Sequence, residues 1–437
     1  MKKLRNVIFW CHLPAGVIAG AIILVMSATG TLLAFERQIT FWADTRSYHL
    51  APRSADGSHL PVETLLATVS GKQSGAPTSI TLRSDPATPA AIGIGGGRTV
   101  FVDPVTGEVL GEGSPGVRSF FRAVTEWHRW LGMQGESRDV ARAITGACNL
   151  LFLFLVCSGF YLWWPRKWTW SLVRNVTWFR RGLPGKARDF NWHNVLGVWS
   201  VMPLFLVVLS GVVISYPWAS NLVYRMVGEV PPAPRGAPGQ APGSVGPPPR
   251  SGAGEPGGQG GERAGEGALP ERRRETSPPT ELSLNGIDQL WDRAEQQMAG
   301  WQSITLRLPS LADAPVSFTI DEGNGGQPQK RSQLTLDRKT AEVVLWEPFS
   351  KQTPGRRLRS LLRFTHTGEV GGFIGQSIAG MASACAAILV WTGLGLALRR
   401  FVAWAARKRV SMRATSESFA PAREEALSSH IRGPDGD

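Results

Sequence analysis

Four runs of uncharged, mostly apolar residues constrain this chain more than any other feature: Val7 to Phe35, Ala143 to Trp164, Phe190 to Tyr224 and Val370 to Leu398. Each exceeds the ~20 residues that a helix needs to cross a bilayer core. Inside lipid, a helix is the single segment type that satisfies its own backbone hydrogen bonds. The first run is too long for the apolar region of a cleaved export signal, and no A-x-A site closes it. The chain therefore reads as an α-helical membrane protein with four transmembrane helices, at 13–35, 143–164, 191–217 and 374–398.

Charge sets the direction of those helices. Segments 1–12, 165–189 and 399–413 hold sixteen Lys and Arg against one acid, Asp189, an excess larger than the net +13 of the whole chain. The remainder is close to neutral, so the basic character is a topology signal and nucleic acid is not an expected partner. The N-terminus 1–12, the loop 165–190 and the tail 399–437 are assigned to the cytoplasm. The large segments 36–142 and 218–369 are assigned to the outside. Trp163, Trp164, Trp168 and Trp170 fit an interfacial aromatic belt at the inner end of the second span. Cys11, Cys148, Cys157 and Cys385 all lie in or beside the apolar runs, so no disulfide framework holds the outer segments.

The two outer segments echo each other. Ser79-Ile80-Thr81-Leu82-Arg83 recurs as Ser303-Ile304-Thr305-Leu306-Arg307, and Phe101 to Val109 is echoed by Leu334 to Val343. Both echoes read as β-hairpins turning on Asp103 and Asp337, each preceded by a short amphipathic helix near 61–69 and 284–299. The expectation is two small α+β subdomains, each marginal alone, in an internally duplicated chain. Residues 231–280 are Pro, Gly, Arg and Glu with almost no apolar residue, and read as a disordered linker; the tail 411–437 reads the same way. Gly93 to Gly97 is a glycine cluster without the strand-to-helix context of a dinucleotide site.

The duplication reaches the spans. His12 is followed by Gly16 and Gly30, and His193 by Gly197 and Gly211, the same offsets 181 residues apart. Of seven histidines, His49, His59 and His430 stand in polar sequence and read as solvated surface. His12 and His193 open the odd spans at the inner face; His128 and His366 precede the even spans at the outer face. Helix direction therefore brings His12 to His193 and His128 to His366. Two imidazoles at each face match what two six-coordinate haems need, and Gly16 and Gly197 would leave room beside the macrocycle. The spacing predicts a break after each outer histidine. His128 stands 36 residues before Trp164 and His366 stands 32 before Leu398, which as one straight helix is roughly 48–54 Å against a ~30 Å core. Gly132, Gly135, Gly368, Gly371 and Gly372 are the expected break points. Zinc is disfavoured because neither pair has a third ligand at close spacing.

Trp10-Cys11-His12-Leu13, Trp127-His128-Arg129, Phe190-Asn191-Trp192-His193-Asn194 and Thr365-His366-Thr367-Gly368 together resemble the PepSY-associated transmembrane proteins, often described as iron-regulated membrane proteins. The resemblance covers nearly the whole chain apart from the linker and tail. It makes the Asp103 to Gly107 hairpin PepSY-like, and the Asp337 copy a degenerate one with Ala341 in the glycine position. It implies the inner membrane of a bacterium. The best-understood branch consists of haem-containing ferric-siderophore reductases acting at the periplasmic face. The expectation is thus a membrane cytochrome with two haem b groups, held by His12, His193, His128 and His366, that reduces a ferric siderophore or other ferric chelate. Membrane lipid surrounds it. The donor, a quinol or a separate flavoprotein, lies outside this chain, whose cytoplasmic pieces are too short for a nucleotide-binding domain. A non-enzymatic PepSY-type sensor or assembly module is the alternative. A permease ranks below both: the third span alone is read as carrying an internal proline, Pro203, and no acid sits at midplane.

Overall fold

In the computed structural model, residues 2–48, 50, 59–72, 75–164, 169–232, 284–309 and 314–431 are described. His49, Trp168 and nearly all of the expected linker 231–280 lie outside them. In chain order the elements are α1 (Lys2–Leu33), α2 (Glu36–Thr45), α3 (Val62–Lys72), β1 (Pro77–Arg83), β2 (Ala90–Ile94), β3 (Arg98–Val102), β4 (Val109–Gly111), α4 (Pro115–Trp130), α5 (Ser137–Trp163) and α6 (Trp170–Thr177). There follow α7 (Gly185–Ser215), α8 (Pro217–Met226), α9 (Ile287–Gln297), β5 (Ser303–Arg307), β6 (Val316–Asp321), β7 (Arg331–Leu336), β8 (Val343–Pro348), α10 (Pro354–His366) and α11 (Gly372–Ile431).

Four helical stretches are long and apolar enough to span a membrane: Lys3–Leu33, Ser137–Trp163, Gly185–Ser215 and Glu369–Ser411. Three details differ from the sequence expectation. The third span stops at Ser215, two residues short of the expected 217, because Pro217 forces Tyr216 into extended backbone (φ −118°, ψ 123°) and then starts α8. Pro14 also lies inside α1, so Pro203 is not alone. The tail is helical as far as Ile431; it is rich in Ala, Glu and Arg, whose helix propensity needs no buried face.

The chain divides into two compact units. One comprises Met1–Ala28, Ala147–Phe205 and Ala382–Asp437. In it Val156, Leu204, Ala382 and Ala386 form an apolar contact among α5, α7 and α11, and the two alanines, one turn apart, allow close approach. Large apolar residues point away from it, among them Ile18, Trp199, Met202 and Trp391, as a lipid-facing surface requires. At its helix ends, Arg5 donates to the carbonyls of Leu162 and Trp164. Arg399 meets Asp189 at 2.9 Å, and Arg400 lies over the rings of Phe9 and Trp10.

The other unit comprises Thr29–Gly146 and Leu206–Met381. Its strands form one antiparallel sheet in the order β4-β3-β2-β1-β5-β6-β7-β8. The two echoed segments pair with each other: Ser79 faces Arg307, Thr81 faces Thr305 and Arg83 faces Ser303. The two expected subdomains are therefore one sheet, since pairing β1 with β5 removes an open edge from each four-stranded half. Ile80, Leu82, Ile304 and Leu306 are buried on one face under α3 and α9, in a core that draws on both halves. On the other face Thr81 and Thr305 share a 2.9 Å hydrogen bond. In each hairpin turn an Asp carboxylate caps the backbone: Asp103 accepts from Val105 and Thr106, and Asp337 from Lys339 and Thr340. Gly107 (φ 71°) and Ala341 (φ 56°) hold the equivalent left-handed position.

Candidate functional site

The sheet delivers two helices to one place. α4 follows β4, and its start is fixed by buried Asp44, which accepts from Ser114 N–H at 2.7 Å and from Arg118. α10 follows β8 and is tied back to it by a two-pronged Arg356–Glu347 pair. His128 lies near the end of α4 and His366 is the last residue of α10. The expected breaks follow both. Leu131 (φ 52°), Gly132 (φ 75°) and Gly135 (φ 59°) separate α4 from α5, while Gly368 (φ 74°) and Gly372 (φ 60°) separate α10 from α11. Gly368 admits no side chain, because a Cβ there would run into the Gly375 carbonyl oxygen. Glu369, buried behind the turn, is held by Arg37 at 3.1 Å and by the Thr367 hydroxyl.

His128 and His366 come together, with ring centroids 6.3 Å apart and planes at 54°. Two imidazoles bound through Nε2 to opposite sides of one metal would have centroids roughly 6 Å apart: about 2 Å for each metal–nitrogen bond and a little over 1 Å from nitrogen to ring centre. His366 Nδ1 donates to the Val207 carbonyl at 2.8 Å. His128 Nδ1 stands 2.9 Å from the Thr29 hydroxyl.

In the other unit, His12 lies on α1 and His193 on α7. His12 Nδ1 lies 2.8 Å from Ser158 Oγ, and His193 Nδ1 lies 3.1 Å from Thr392 Oγ1. Each hydroxyl spends its hydrogen on a helix carbonyl: Ser158 on Phe154 and Thr392 on Ile388. With that hydrogen on the carbonyl, each oxygen is placed to accept from the imidazole, an arrangement that puts the proton on Nδ1 in His12 and His193. The Val207 carbonyl, which can only accept, makes the same assignment for His366. In all three the lone pair sits on Nε2, as a metal ligand oriented by its other nitrogen requires.

The surroundings of His12 and His193 repeat. Gly159 follows Ser158, and a Cβ on it would lie 3.5 Å from His12 Cε1; Gly393 follows Thr392, and a Cβ on it would lie 3.3 Å from His193 Cε1. Gly16 and Gly197 each face a leucine: a Cβ on either would lie 3.8 Å from a methyl carbon, of Leu155 and of Leu389 respectively. Sequence reasoning named the histidines and these two glycines but missed the hydroxyls. The signal was a Ser/Thr-Gly pair in every span: Thr29-Gly30, Ser158-Gly159, Ser210-Gly211 and Thr392-Gly393. The first, second and fourth of those hydroxyls meet a histidine, and the third donates to the Val207 carbonyl that His366 also uses.

His59 departs from its solvated reading. It is half-buried, with Nδ1 on the Leu60 carbonyl at 2.9 Å and Nε2 on Glu295 at 3.2 Å, while Trp291 donates to the same carboxylate at 2.7 Å. The clasp joins the segment before α3 to α9. The side chain of His430 lies outside the described residues.

Comparison with known proteins agrees with this architecture. No curated protein matches the chain. A family model, the PepSY-associated TM region, matches residues 9–400, from just before His12 to just after the Arg399 that holds Asp189. The chain is a membrane protein of the PepSY-associated transmembrane family.

Proposed function

We propose that this protein is a two-haem b-type cytochrome of the bacterial inner membrane that reduces a ferric chelate, a ferric siderophore in the first instance, at the periplasmic face. His12 with His193, and His128 with His366, would hold the two haem irons. Both termini lie in the cytoplasm, from the basic residues flanking the inner helix ends. The observation that carries the reading is the use of Nδ1: histidines in both pairs spend it on a fixed acceptor, which leaves Nε2 as the coordinating nitrogen. The 6.3 Å spacing of His128 and His366 fits a single ion between them.

When bound, the haems would supply one-electron transfer with no open coordination position. The chain's own residues do the rest. Ser158 and Thr392 orient the inner imidazoles; Val207 orients His366. The lipid-facing apolar surface excludes water from the spans. Reduction favours release of iron, because hard oxygen ligands hold ferric iron more strongly than ferrous. A separate quinol or flavoprotein supplies the electrons. The Ser/Thr-Gly pairs, the paired echo of β1 with β5 and the matched histidine–glycine offsets support an origin by internal duplication, with PepSY-like outer halves.

The test is a reduced-minus-oxidised spectrum of the detergent-purified protein with a pyridine haemochrome count. Two b-type haems per chain are expected, falling to one in His12→Ala and in His366→Ala. A colourless protein from haem-replete cells would overturn the cytochrome and leave the sensor alternative.

A further inference from the structure

The end of α7 that carries His193 also carries a pocket that the redox reading does not use. It encloses about 590 Å³ and is lined by Trp178, Phe179, Arg180, Arg181, Arg188 and Trp192 together with the Gly182-Leu183 turn. The loop that forms it is built rather than loose. Asn191 is 5% exposed and uses both ends of its amide: Oδ1 accepts from Arg180 N–H at 3.0 Å and Nδ2 donates to the Trp178 carbonyl at 3.1 Å. About two helical turns further on, Trp199 Nε1 donates to the Thr177 carbonyl at 3.0 Å and fixes the end of α6. Phe179 packs edge-on against Trp192. A buried amide spent on holding an exposed loop implies that the loop's side chains are needed in one arrangement.

Those side chains are guanidinium groups between exposed aromatic rings: Trp178 is 60% exposed, Phe179 51% and Trp192 41%. Asp189, the one acid in 165–189, is already held by Arg188 at 3.1 Å and Arg399 at 2.9 Å, so it leaves the pocket positive. Arginine forks bind phosphate through paired hydrogen bonds. Tryptophan at the end of a membrane span sits at headgroup depth. We infer that this pocket binds the phosphodiester headgroup of an anionic phospholipid, with the arginines on the phosphate and the aromatic rim against the glycerol and upper acyl chain. A free phosphate ester shares the anionic chemistry but gives the exposed rings nothing to cover. The inference rests on the membrane assignment and is independent of haem.

The test uses the full-length protein, delipidated in detergent and phosphate-free buffer. Phosphatidylglycerol, phosphatidylcholine and glycerol 3-phosphate are added separately, and retained lipid is counted by native mass spectrometry alongside the thermal midpoint. Phosphatidylglycerol is expected to be retained and to raise the midpoint. Each cation removed near an anionic headgroup weakens binding about fivefold, so Arg180→Gln/Arg181→Gln is expected to bind roughly thirtyfold more weakly. Arg407→Gln/Lys408→Gln, with the same change in net charge on α11, is expected to behave as the parent. Should the double variant fold poorly, Arg181→Gln alone, whose backbone takes no part in the Asn191 clamp, carries the same test with about a fivefold loss. Equal retention of phosphatidylcholine, or undiminished retention in the pocket variants, would overturn the inference. A shift reproduced in full by glycerol 3-phosphate would overturn the lipid assignment in favour of a soluble phosphate ester.

Discussion

Replacing Thr392 with valine removes the oxygen that accepts the His193 Nδ1–H at 3.1 Å and keeps the branched shape of the side chain. The hydroxyl hydrogen lost with it served the Ile388 carbonyl, which keeps its helical partner, the Thr392 N–H. The cost therefore falls on the imidazole. Thr392 is 4% exposed, so water does not take its place. A buried donor left without an acceptor costs about 1–3 kcal/mol. Loss of an outer partner to a ligating histidine weakens metal holding about 10–100-fold, which agrees with that energy. If the proposed haem is held there, the potential of that site is also expected to rise, because donation from Nδ1 would make the imidazole a stronger donor to ferric iron. Haemin titration of the apoprotein and a redox titration of the loaded protein read both effects. Half of the haem signal is expected to shift in Thr392→Val, with the parent values restored in Thr392→Ser. If Thr392→Val binds both haems with parent affinity and potential, the argument that the hydroxyl sets His193 for coordination is refuted.

Further predictions concern the eight-stranded sheet. Ala341 holds the left-handed position that Gly107 holds in the other hairpin. Ala341→Gly relieves about 1–2 kcal/mol of backbone strain and returns part of it as chain entropy, so a net gain of roughly 0.5–1 kcal/mol is expected in urea unfolding followed by tryptophan fluorescence. Gly107→Ala should lose at least as much, since its Cβ would also stand 3.1 Å from Leu60 Cδ1. The His59–Glu295 clasp gives the sheet a pH window. The hydrogen bond to Glu295 raises the His59 pKa above its ordinary 6.5, so that contribution is complete below 6.5 and is lost as pH rises through the raised value. For Glu295, burial pushes the carboxyl up, but hydrogen bonds from His59 and Trp291 outweigh it and the net shift is down. Its contribution is present above the ordinary 4.5 and lost as pH falls through the lowered value. Stability is therefore expected to peak between about 4.5 and 6.5. His59→Gln should flatten that profile by up to ~1 kcal/mol; an unchanged urea midpoint across the range in both proteins would count against the clasp.

The spans were legible in the sequence because their signal is local: an uncharged run long enough for a bilayer needs no knowledge of the fold. The breaks after His128 and His366 were legible because a helix continuous from either histidine would overrun the bilayer, and Gly132 and Gly368 accept the positive φ a break needs. What escaped were features made by distant pairing. Ser158 and Thr392 are single hydroxyls in apolar helices, an ordinary occurrence, and gain meaning only beside His12 and His193, 146 and 199 residues away. The repeated Ser-Ile-Thr-Leu-Arg was visible, but nothing in it says that the copies pair with each other across 224 residues rather than each closing its own sheet. His59 read as solvated because its carboxylate partner is 236 residues downstream.

The β1–β5 junction, His128 and His366 belong to one unit, and this gives the division of the chain a direct consequence. Thr305 pairs with Thr81 on one side and with Thr319 on the other, so β5 is a central strand with both edges occupied. Proline at 305 removes a ladder donor, and proline is confined to edge strands, strand starts and bulges, so it is not tolerated in this central strand. The core that draws on α3, α9 and both halves of the sheet is then split between two marginal pieces. α4 and α10 take their positions from β4 and β8, so His128 and His366 lose their registration with the sheet. His12, His193, Ser158 and Thr392 belong to the other unit, whose contacts Thr305→Pro does not touch. The variant is therefore expected to retain one haem of two, with the potential of the inner pair unchanged. The haemochrome count and a redox titration of membranes read this directly. Loss of both haems would show that the inner pair depends on the outer sheet, and retention of both would show that α4 and α10 hold their histidines without it.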